Sequence, residues 1–196
     1  MTKDAVRGLS AMGAVQLFHI SEDPGIKIFR PRPSRSSHLR VEGDVVWAVN
    51  QDRLYNYLVP RNCPRLSFYA KDSTRQEDID AWLNGDRAKR VIVLESGRLA
   101  RVLDTTLVRY EFDPTHFTLF HAEAGYYHSQ RPETPIAVET IAHPLEHLLA
   151  EGVEVRLTPA LWDIRERILR SSLGFSFARM NHAAPPAAGY DAYLPI

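Results

Sequence analysis

A histidine followed by a cluster of polar side chains is the first candidate for chemistry in this sequence. His19 interrupts an apolar run that begins at Val15, and Ser21, Glu22 and Asp23 follow it directly before a Pro-Gly turn. Imidazole titrates near neutral pH, and side chains at strand ends are often used for binding. A histidine whose ring only donates to a backbone carbonyl is the structural alternative. We expect His19 to lie at the rim of a ligand site, with Ser21 beside it.

Several arginines lie on proline-rich connections of the same chain. A planar guanidinium group can bind a phosphate or a carboxylate through two parallel hydrogen bonds, so these residues are candidates for the anionic part of a ligand. Solvated loop charge is the alternative for each of them. The set comprises Arg30, Arg32, Arg35, Arg40, Arg61 and Arg65.

Aromatic side chains offer faces on which a planar ring could stack. Tyr and Trp also bury a large apolar area with only one polar atom to satisfy, so a place in the core is the alternative. The candidate set comprises Trp47, Tyr55, Tyr57, Tyr126 and Tyr127.

The segment from His143 to His147 matches the H-x-x-E-H pattern of inverted zinc proteases. Zinc needs both imidazoles on one helical face and a third protein ligand. Pro144 fits the first position of a helix, which would leave His143 outside the spiral, and no third ligand is evident. We therefore interpret this segment as a capped surface helix and expect no metal. A zinc-dependent hydrolase using His143 and His147 is kept as a third hypothesis.

Cys63 is the single cysteine of the chain. Arg61 and Arg65 flank it and would favour a thiolate, but a catalytic thiol also needs a base, and the local sequence supplies none. We interpret Cys63 as inert. One cysteine excludes an intrachain disulfide framework and fits a reducing compartment.

The net charge and the length of the apolar runs bear on whether the protein binds nucleic acids or membranes. The chain of 196 residues contains 24 Lys plus Arg and 24 Asp plus Glu, so its formal net charge is zero and we expect no nucleic-acid partner. No apolar run approaches the roughly 18 residues of a membrane span, and the mildly apolar start of the chain is too short and too polar for a secretory leader. We therefore expect a cytoplasmic protein that is not bound to membranes.

Many short strands with a few inserted helices, out of β-α-β rhythm, predict an α+β fold with a mixed or antiparallel sheet. We expect a flexible arm over 1–14, a single compact domain over 15–182 and a Pro/Ala-rich tail over 183–196. Alternation and turn signals predict strands at 15–20, 45–49, 66–70, 90–95, 107–112, 117–121, 126–129, 135–141, 153–157 and 174–180. Helical spacing and caps predict helices at 51–58, 72–84 and 144–151, and a last helix through Arg170 that Thr158 caps.

Several motifs together resemble an uncharacterised family of small bacterial proteins, a domain of unknown function. They are Leu17-Phe-His-Ile-Ser-Glu-Asp-Pro24, Phe29-Arg-Pro-Arg-Pro33, Val46-Trp-Ala-Val49, Pro60-Arg-Asn-Cys-Pro-Arg65, Pro135-Ile136 and Phe175-Ser-Phe-Ala-Arg-Met-Asn181. The resemblance covers most of the chain after residue 15. It implies a family without an established reaction.

More distantly, the opening is similar to ADP-ribosyltransferase-type folds, in which an early strand ends in a ligand-contacting histidine. This resemblance implies that His19 contacts a ribose hydroxyl and that Tyr57 or Trp47 stacks on nicotinamide. Glu139 would be the late carboxylate that stabilises an oxocarbenium-like transition state. Arg30 or Arg32 would bind the diphosphate.

The leading hypothesis is therefore a protein that binds NAD or another small nucleotide-like ligand and transfers or hydrolyses ADP-ribose. It assigns catalysis to His19 and Glu139, and no cofactor is required other than NAD as a substrate. The alternative is a non-catalytic binding or interaction module in which His19 and Glu139 only complete polar networks. The first hypothesis requires the side chains of His19 and Glu139 to line one common hollow that solvent can reach.

Overall fold

Ten strands form two sheets in the computed structural model, which describes residues 15–34, 41–85, 87–188 and 190. The first sheet is antiparallel, with the order β6-β7-β2-β1-β5-β8; the second has the order β10-β3-β4-β9, and only its pair β4 and β9 is parallel. This is the predicted single α+β fold.

The strands are β1 (Leu17–Ser21), β2 (Val46–Asn50), β3 (Arg65–Tyr69), β4 (Arg90–Glu95), β5 (Leu107–Phe112), β6 (Thr118–His121), β7 (Tyr126–Ser129), β8 (Ala137–Ile141), β9 (Val153–Thr158) and β10 (Gly174–Ala178). The α-helices are α1 (Gln51–Leu54), α2 (Gln76–Trp82), α3 (Leu99–Leu103), α4 (Pro144–Ala150) and α5 (Trp162–Leu169).

The two faces of the first sheet are defined by the alternation along β1. Phe18 and Ile20 point to one side, where Ile20 packs against a core cluster that includes Ile92 and Leu94 of the second sheet. We call this the inner face. Leu17 points to the opposite side, which we call the outer face. Buried apolar clusters lie on both faces around β1, β2 and β5, so the centre of the sheet is covered on both sides.

Residues 22–34, which follow β1, pack on the outer face. Phe29 packs edge-on against Tyr110 and Phe112 of β5, with ring centroids 5.0 Å apart in both pairs. Its backbone exchanges hydrogen bonds with Glu133 at 2.8 and 2.9 Å. The Tyr110 hydroxyl donates to the carbonyl of Asp23 at 2.6 Å. These contacts hold the segment against β1 and β5, and they fix the surroundings of the outward-pointing side chains of β1.

The second sheet packs under α2 and α5. Leu66 and Phe68 of β3 and Val91 of β4 are fully buried and contact Leu83, which follows α2, and Ile168 of α5. Ile79 and Trp82 of α2 are half-buried and pack against this cluster. None of the helices in the described ranges is long and apolar enough to cross a bilayer.

Some boundaries differ from the sequence prediction. Thr158 ends β9, where it pairs with Glu95, and its hydroxyl bonds to the carbonyl of Ala160; α5 begins only at Trp162. The predicted cap at Thr158 is therefore wrong, because the parallel pairing with β4 extends strand β9 through Thr158.

Helix α3 was not predicted. The predicted arm over 1–14 lies outside the described residues.

Part of the predicted tail is in contact with the domain. The indole nitrogen of Trp162 donates to the carbonyl of Ala184 at 2.7 Å, and the Ala184 amide donates to Glu95 at 2.7 Å. The Tyr190 hydroxyl bonds to Glu166 at 2.7 Å. The described part of the tail therefore docks on α5 and on the end of β4.

Candidate functional site

Strands β1 and β2 separate after a short paired stretch. Leu17 pairs with Asn50 and Phe18 with Val49, whereas β5 pairs with every residue of β1 on the other side. Beyond Phe18 the ring of His19 spans the gap, and its Nδ1 atom lies 3.0 Å from the carbonyl oxygen of Trp47. The ladder between these two central strands is thus interrupted beside His19, and we call this interruption the opening.

The contact with Trp47 determines the protonation of His19. A carbonyl oxygen can only accept a hydrogen bond, so Nδ1 carries the proton. Burial lowers the pKa of His19 below its usual 6.5, the hydrogen bond to Trp47 opposes this shift, and the nearby guanidinium groups of Arg61 and Arg32 lower the pKa further. The ring is therefore neutral at pH 7, and its Nε2 atom carries a lone pair that can accept a hydrogen bond.

Arg32 and Arg61 approach the histidine from two different loops. The backbone of Arg32 exchanges hydrogen bonds with Val45 at 3.0 and 3.1 Å, just before β2. The backbone amide of Arg61 donates to the carboxylate of Glu22 at 2.8 Å, and the same carboxylate accepts from Arg101 at 2.6 Å. These backbone contacts explain how two sequence-distant arginines come to lie near one imidazole.

Other predicted ligand-binding residues lie near this opening or point away from it. Ser21 points to the same outer face as His19, and its hydroxyl accepts a hydrogen bond from the Asp23 amide at 3.1 Å, which stabilises the turn. Arg30 is exposed. Arg35 and Arg40 lie outside the described residues. The structure thus brings His19, Arg32 and Arg61 together, with Ser21 two residues further along β1.

Glu139 does not share the hollow with His19. His19 pairs with Tyr110, whereas Glu139 of β8 pairs with the neighbouring residue of β5, Arg109. Since adjacent residues of a strand point to opposite faces, Glu139 lies on the inner-face side and His19 on the outer. The Glu139 carboxylate is ion-paired with Arg109, whose guanidinium lies over the ring of Phe18. The expectation that His19 and Glu139 line one hollow is therefore wrong, because the two side chains lie on opposite faces of the first sheet.

The predicted stacking residues belong to an aromatic cluster on the inner face. The hydroxyl of Tyr57 donates to that of Tyr126 at 2.5 Å, and the ring of Trp47 lies edge-on to Tyr126 with centroids 6.1 Å apart. Burial raises the pKa of Tyr57 well above its usual 10.0, so its hydroxyl stays protonated. Tyr57 and Trp47 are thus brought close to each other, but they meet His19 only through the Trp47 backbone.

Arg65 is not a loop residue, contrary to its assignment as a candidate anion ligand. It begins β3 and is buried, and it donates to the carbonyls of Asn56 at 2.8 Å and Cys63 at 3.0 Å. Arg90 of β4 is also buried, and its NH1 group donates to the side-chain oxygens of Asn56 and Ser67 at 2.8 and 3.2 Å. Burial lowers the pKa of each guanidinium to about 10.

This buried polar network was missed by sequence reasoning. Asn56 lies in a 3-10 helix (Tyr55–Tyr57) that follows α1, and nothing in its local sequence marks it as the acceptor for two arginines. A basic residue within an apolar strand pattern, as in Arg90-Val-Ile-Val, was the available signal.

The described residues give no support to a zinc site at His143 and His147. His143 and His147 border an open cavity of about 370 Å³ with Glu139 and Glu146. In residues 15–34, 41–85, 87–188 and 190, no group of three or more His, Cys, Asp or Glu side chains is placed to hold a metal ion. His143 is the N-cap of α4 and Pro144 its first residue, as predicted.

Cys63 is buried, and burial is the main reason that the pKa of its thiol is raised. A raised pKa disfavours the thiolate. The guanidinium groups of Arg98 and Arg65 oppose this rise in pKa but do not reverse it.

Comparison with known proteins identifies the family and adds no activity. No curated protein and no solved structure matches the chain. The model of one family, DUF6886, described as a family of unknown function, matches residues 18–183, which include all of the ten strands except Leu17 at the start of β1. The chain therefore belongs to DUF6886, a family of unknown function.

Proposed function

We propose that this protein binds a small nucleotide-like ligand at the opening between β1 and β2. In this proposal His19 accepts a hydrogen bond from a ribose hydroxyl, and Arg32 and Arg61 face the phosphates. NAD is the first ligand to test, since an early strand ending in such a histidine is similar to ADP-ribosyltransferase-type folds. A reducing compartment such as the cytoplasm is the proposed setting, because Cys63 is free.

One observation carries the proposal: the neutral imidazole of His19 has its proton held on Nδ1 by the Trp47 carbonyl and has two arginines nearby. A neutral ring with Nε2 unprotonated suits a hydroxyl donor, and guanidinium groups suit phosphate oxygens. The zero net charge of the whole chain favours a small ligand over a long polyanion, because the basic groups are concentrated locally.

The geometry favours binding over transfer of ADP-ribose. Cleavage of the nicotinamide-ribose bond requires a carboxylate beside the ribose. Glu139, the predicted carboxylate, lies on the other face of the first sheet and is ion-paired with Arg109. The proposal is therefore limited to binding, which agrees with the non-catalytic alternative drawn from the sequence.

Calorimetric titration with NAD, ADP-ribose, ATP and AMP tests the proposal. We expect binding of at least one of them by the wild type, and a dissociation constant raised about tenfold or more in His19→Ala and in Arg32→Met, since each loses a hydrogen bond or charge at the ligand. His143→Ala, at an exposed position far from the opening, is the matched control. Circular dichroism verifies that each variant is folded.

The possible outcomes separate binding from catalysis. No heat with any of the four compounds, or equal affinity in Arg32→Met and wild type, would refute the proposed site. Release of nicotinamide from NAD that disappears in Glu139→Ala would refute the limitation to binding and restore the transferase hypothesis.

A further inference from the structure

A cavity of about 190 Å³ lies where the turn between β6 and β7 meets the ends of β3 and β10. Arg53 of α1, Tyr69, Lys71 and His121 line it, together with Gly174. Arg53 lies beyond the end of β2 that pairs with Leu17, whereas the opening at His19 adjoins the start of β2. The two places are therefore distinct, and the proposed function does not use this cavity.

Positive charge is concentrated around one aromatic ring of the cavity wall. The guanidinium carbon of Arg53 lies 4.1 Å from the centroid of the Tyr69 ring, and that of Arg90 lies 4.3 Å from the same centroid. The ring faces stabilise the two cations by cation-π attraction. The two guanidinium groups also repel each other, and after burial Arg53 is the largest cause of the lowered pKa of Arg90.

Carboxylates compensate the cations at this cavity only in part: the negative charge of Asp52 opposes the lowering of the pKa of Arg90. Among the described residues, none of Arg53, Arg90 and Lys71 takes part in an ion pair with a carboxylate. Glu123 also borders the cavity, and its backbone carbonyl accepts from the Nε of Arg53 at 2.8 Å. Arg53 and Lys71 both border this half-enclosed space and form no ion pair within the described residues, so their charges favour the entry of an anion.

Hydrogen-bond donors point to the same conclusion. Within the described residues, the side chain of Arg53 is hydrogen-bonded only through Nε, so its two terminal nitrogen atoms are left to donate. The Nδ1 of His121 accepts from the Ala124 amide at 3.2 Å, which places the proton of the neutral ring on Nε2. The cavity is thus bordered by N–H donors.

Two glycines let these groups approach one another. A Cβ at Gly174 would lie 2.6 Å from the Tyr69 ring. A Cβ at Gly125 would lie 2.3 Å from Oδ1 of Asn50 and 2.7 Å from Cγ of Arg53, and Gly125 has a φ of +63°. Only glycine fits both positions without displacing Tyr69 or Arg53. The wall is therefore a tightly packed arrangement.

We infer that this cavity binds a small oxyanion, the phosphate group of a small molecule or free phosphate, held by the fork of Arg53, the ammonium group of Lys71 and the ring N–H of His121. Guanidinium and phosphate match in a two-point geometry, and the cation-π contact with Tyr69 orients the fork. The charge of the ligand replaces the missing counter-ion.

Titration with inorganic phosphate, monitored by the amide resonances of Ala124 and Gly174, tests this site on the full chain. Sodium chloride at matched ionic strength separates specific binding from screening. We expect saturable shifts in the wild type, and a dissociation constant raised about tenfold or more in Arg53→Met and in Lys71→Met. Lys89→Met, which removes an exposed lysine outside the cavity, is the matched control.

The outcomes also distinguish this site from the opening at His19. Arg32→Met should leave the phosphate-induced shifts of Ala124 and Gly174 unchanged; their loss in that variant would refute a separate site. Absence of saturable shifts in the wild type, or an unchanged dissociation constant in Lys71→Met, would refute the inference. Because Lys71 is exposed, this variant keeps the test decisive even where Arg53→Met is unfolded.

Discussion

The imidazole of His19 and the backbone carbonyl of Trp47 form a side-chain bridge across the gap between β1 and β2. The bridge is 3.0 Å long and replaces the backbone pairing that ends at Phe18 and Val49. It has two consequences: the proton of the neutral ring is held on Nδ1, and the two central strands stay associated although their ladder is interrupted.

The burial of His19, which the bridge opposes only in part, predicts a pH dependence of stability. The folded state lowers the pKa of His19 below the 6.5 expected for the unfolded chain, so the unfolded state binds the proton first as the pH falls. The free energy of unfolding should be unaffected by His19 above pH 6.5 and should decrease from there down to the folded-state pKa. We expect His19→Gln to remove this decrease, which urea denaturation across a pH series measures.

His143→Gln is the control for this pH dependence, because His143 is exposed and its ring does not cap α4. An unchanged pH profile in His19→Gln would show that the imidazole is not held neutral by burial.

The hydroxyl of Tyr110 should anchor the segment that covers the outer face. It donates to the carbonyl of Asp23 and accepts from the Ile26 amide at 3.3 Å. Tyr110→Phe keeps the ring against Phe29 but removes both bonds, so we expect a loss of about 1 kcal/mol in the free energy of unfolding. Hydrogen exchange of the Ile26 amide should become faster.

Tyr127→Phe provides the comparison, because Tyr127 packs on the same face and no hydrogen bond of its hydroxyl is recorded within the described residues. Equal exchange at Ile26 in Tyr110→Phe and wild type would contradict the anchoring role.

Asn56 should be essential for stability as the shared acceptor of buried donors. Its side-chain oxygen accepts from Ser67 at 2.6 Å and from Arg90 at 2.8 Å, and its carbonyl accepts from Arg65. Asn56→Ala leaves the Ser67 hydroxyl and a buried guanidinium without this acceptor, so we expect a loss of about 3 kcal/mol. Urea denaturation measures it.

Asn56→Asp keeps an acceptor and adds a negative charge beside Arg90, so this variant should lose less stability than Asn56→Ala. The exposed Asn62→Ala should be neutral. A loss in Asn56→Ala no larger than that in Asn62→Ala would show that Arg90 finds other partners.

Local pattern was sufficient for most secondary-structure elements. Strands such as Leu107–Phe112 and Tyr126–Ser129 have the predicted bounds, because apolar alternation and turn residues are local properties. Helix α3 was missed, since it is short and follows a 3-10 helix (Ser96–Arg98) without a clear cap. Thr158 was misread because its pairing partner, Glu95, is distant in sequence.

The candidate site was only partly accessible from the sequence. His19 and Arg32 were recognised from residue type and position, and the structure places them near each other. Their relation to Glu139 depends on the register between β5 and β8, in which a shift of one residue would reverse the face of every side chain. The assignment of Arg65 to a loop failed for a related reason, since its burial depends on the pairing of β3 with two neighbours.

By itself, the sequence determined the α+β class, the positions of most strands and the histidine on β1, because backbone propensity and hydrophobic alternation act over a few residues. Only the tertiary structure decided that His19 meets the Trp47 carbonyl and two arginines, that Glu139 lies behind the sheet, and that Tyr69 lies between Arg53 and Arg90. These relations join residues far apart in the chain, and they follow from strand order and register, which no local pattern encodes.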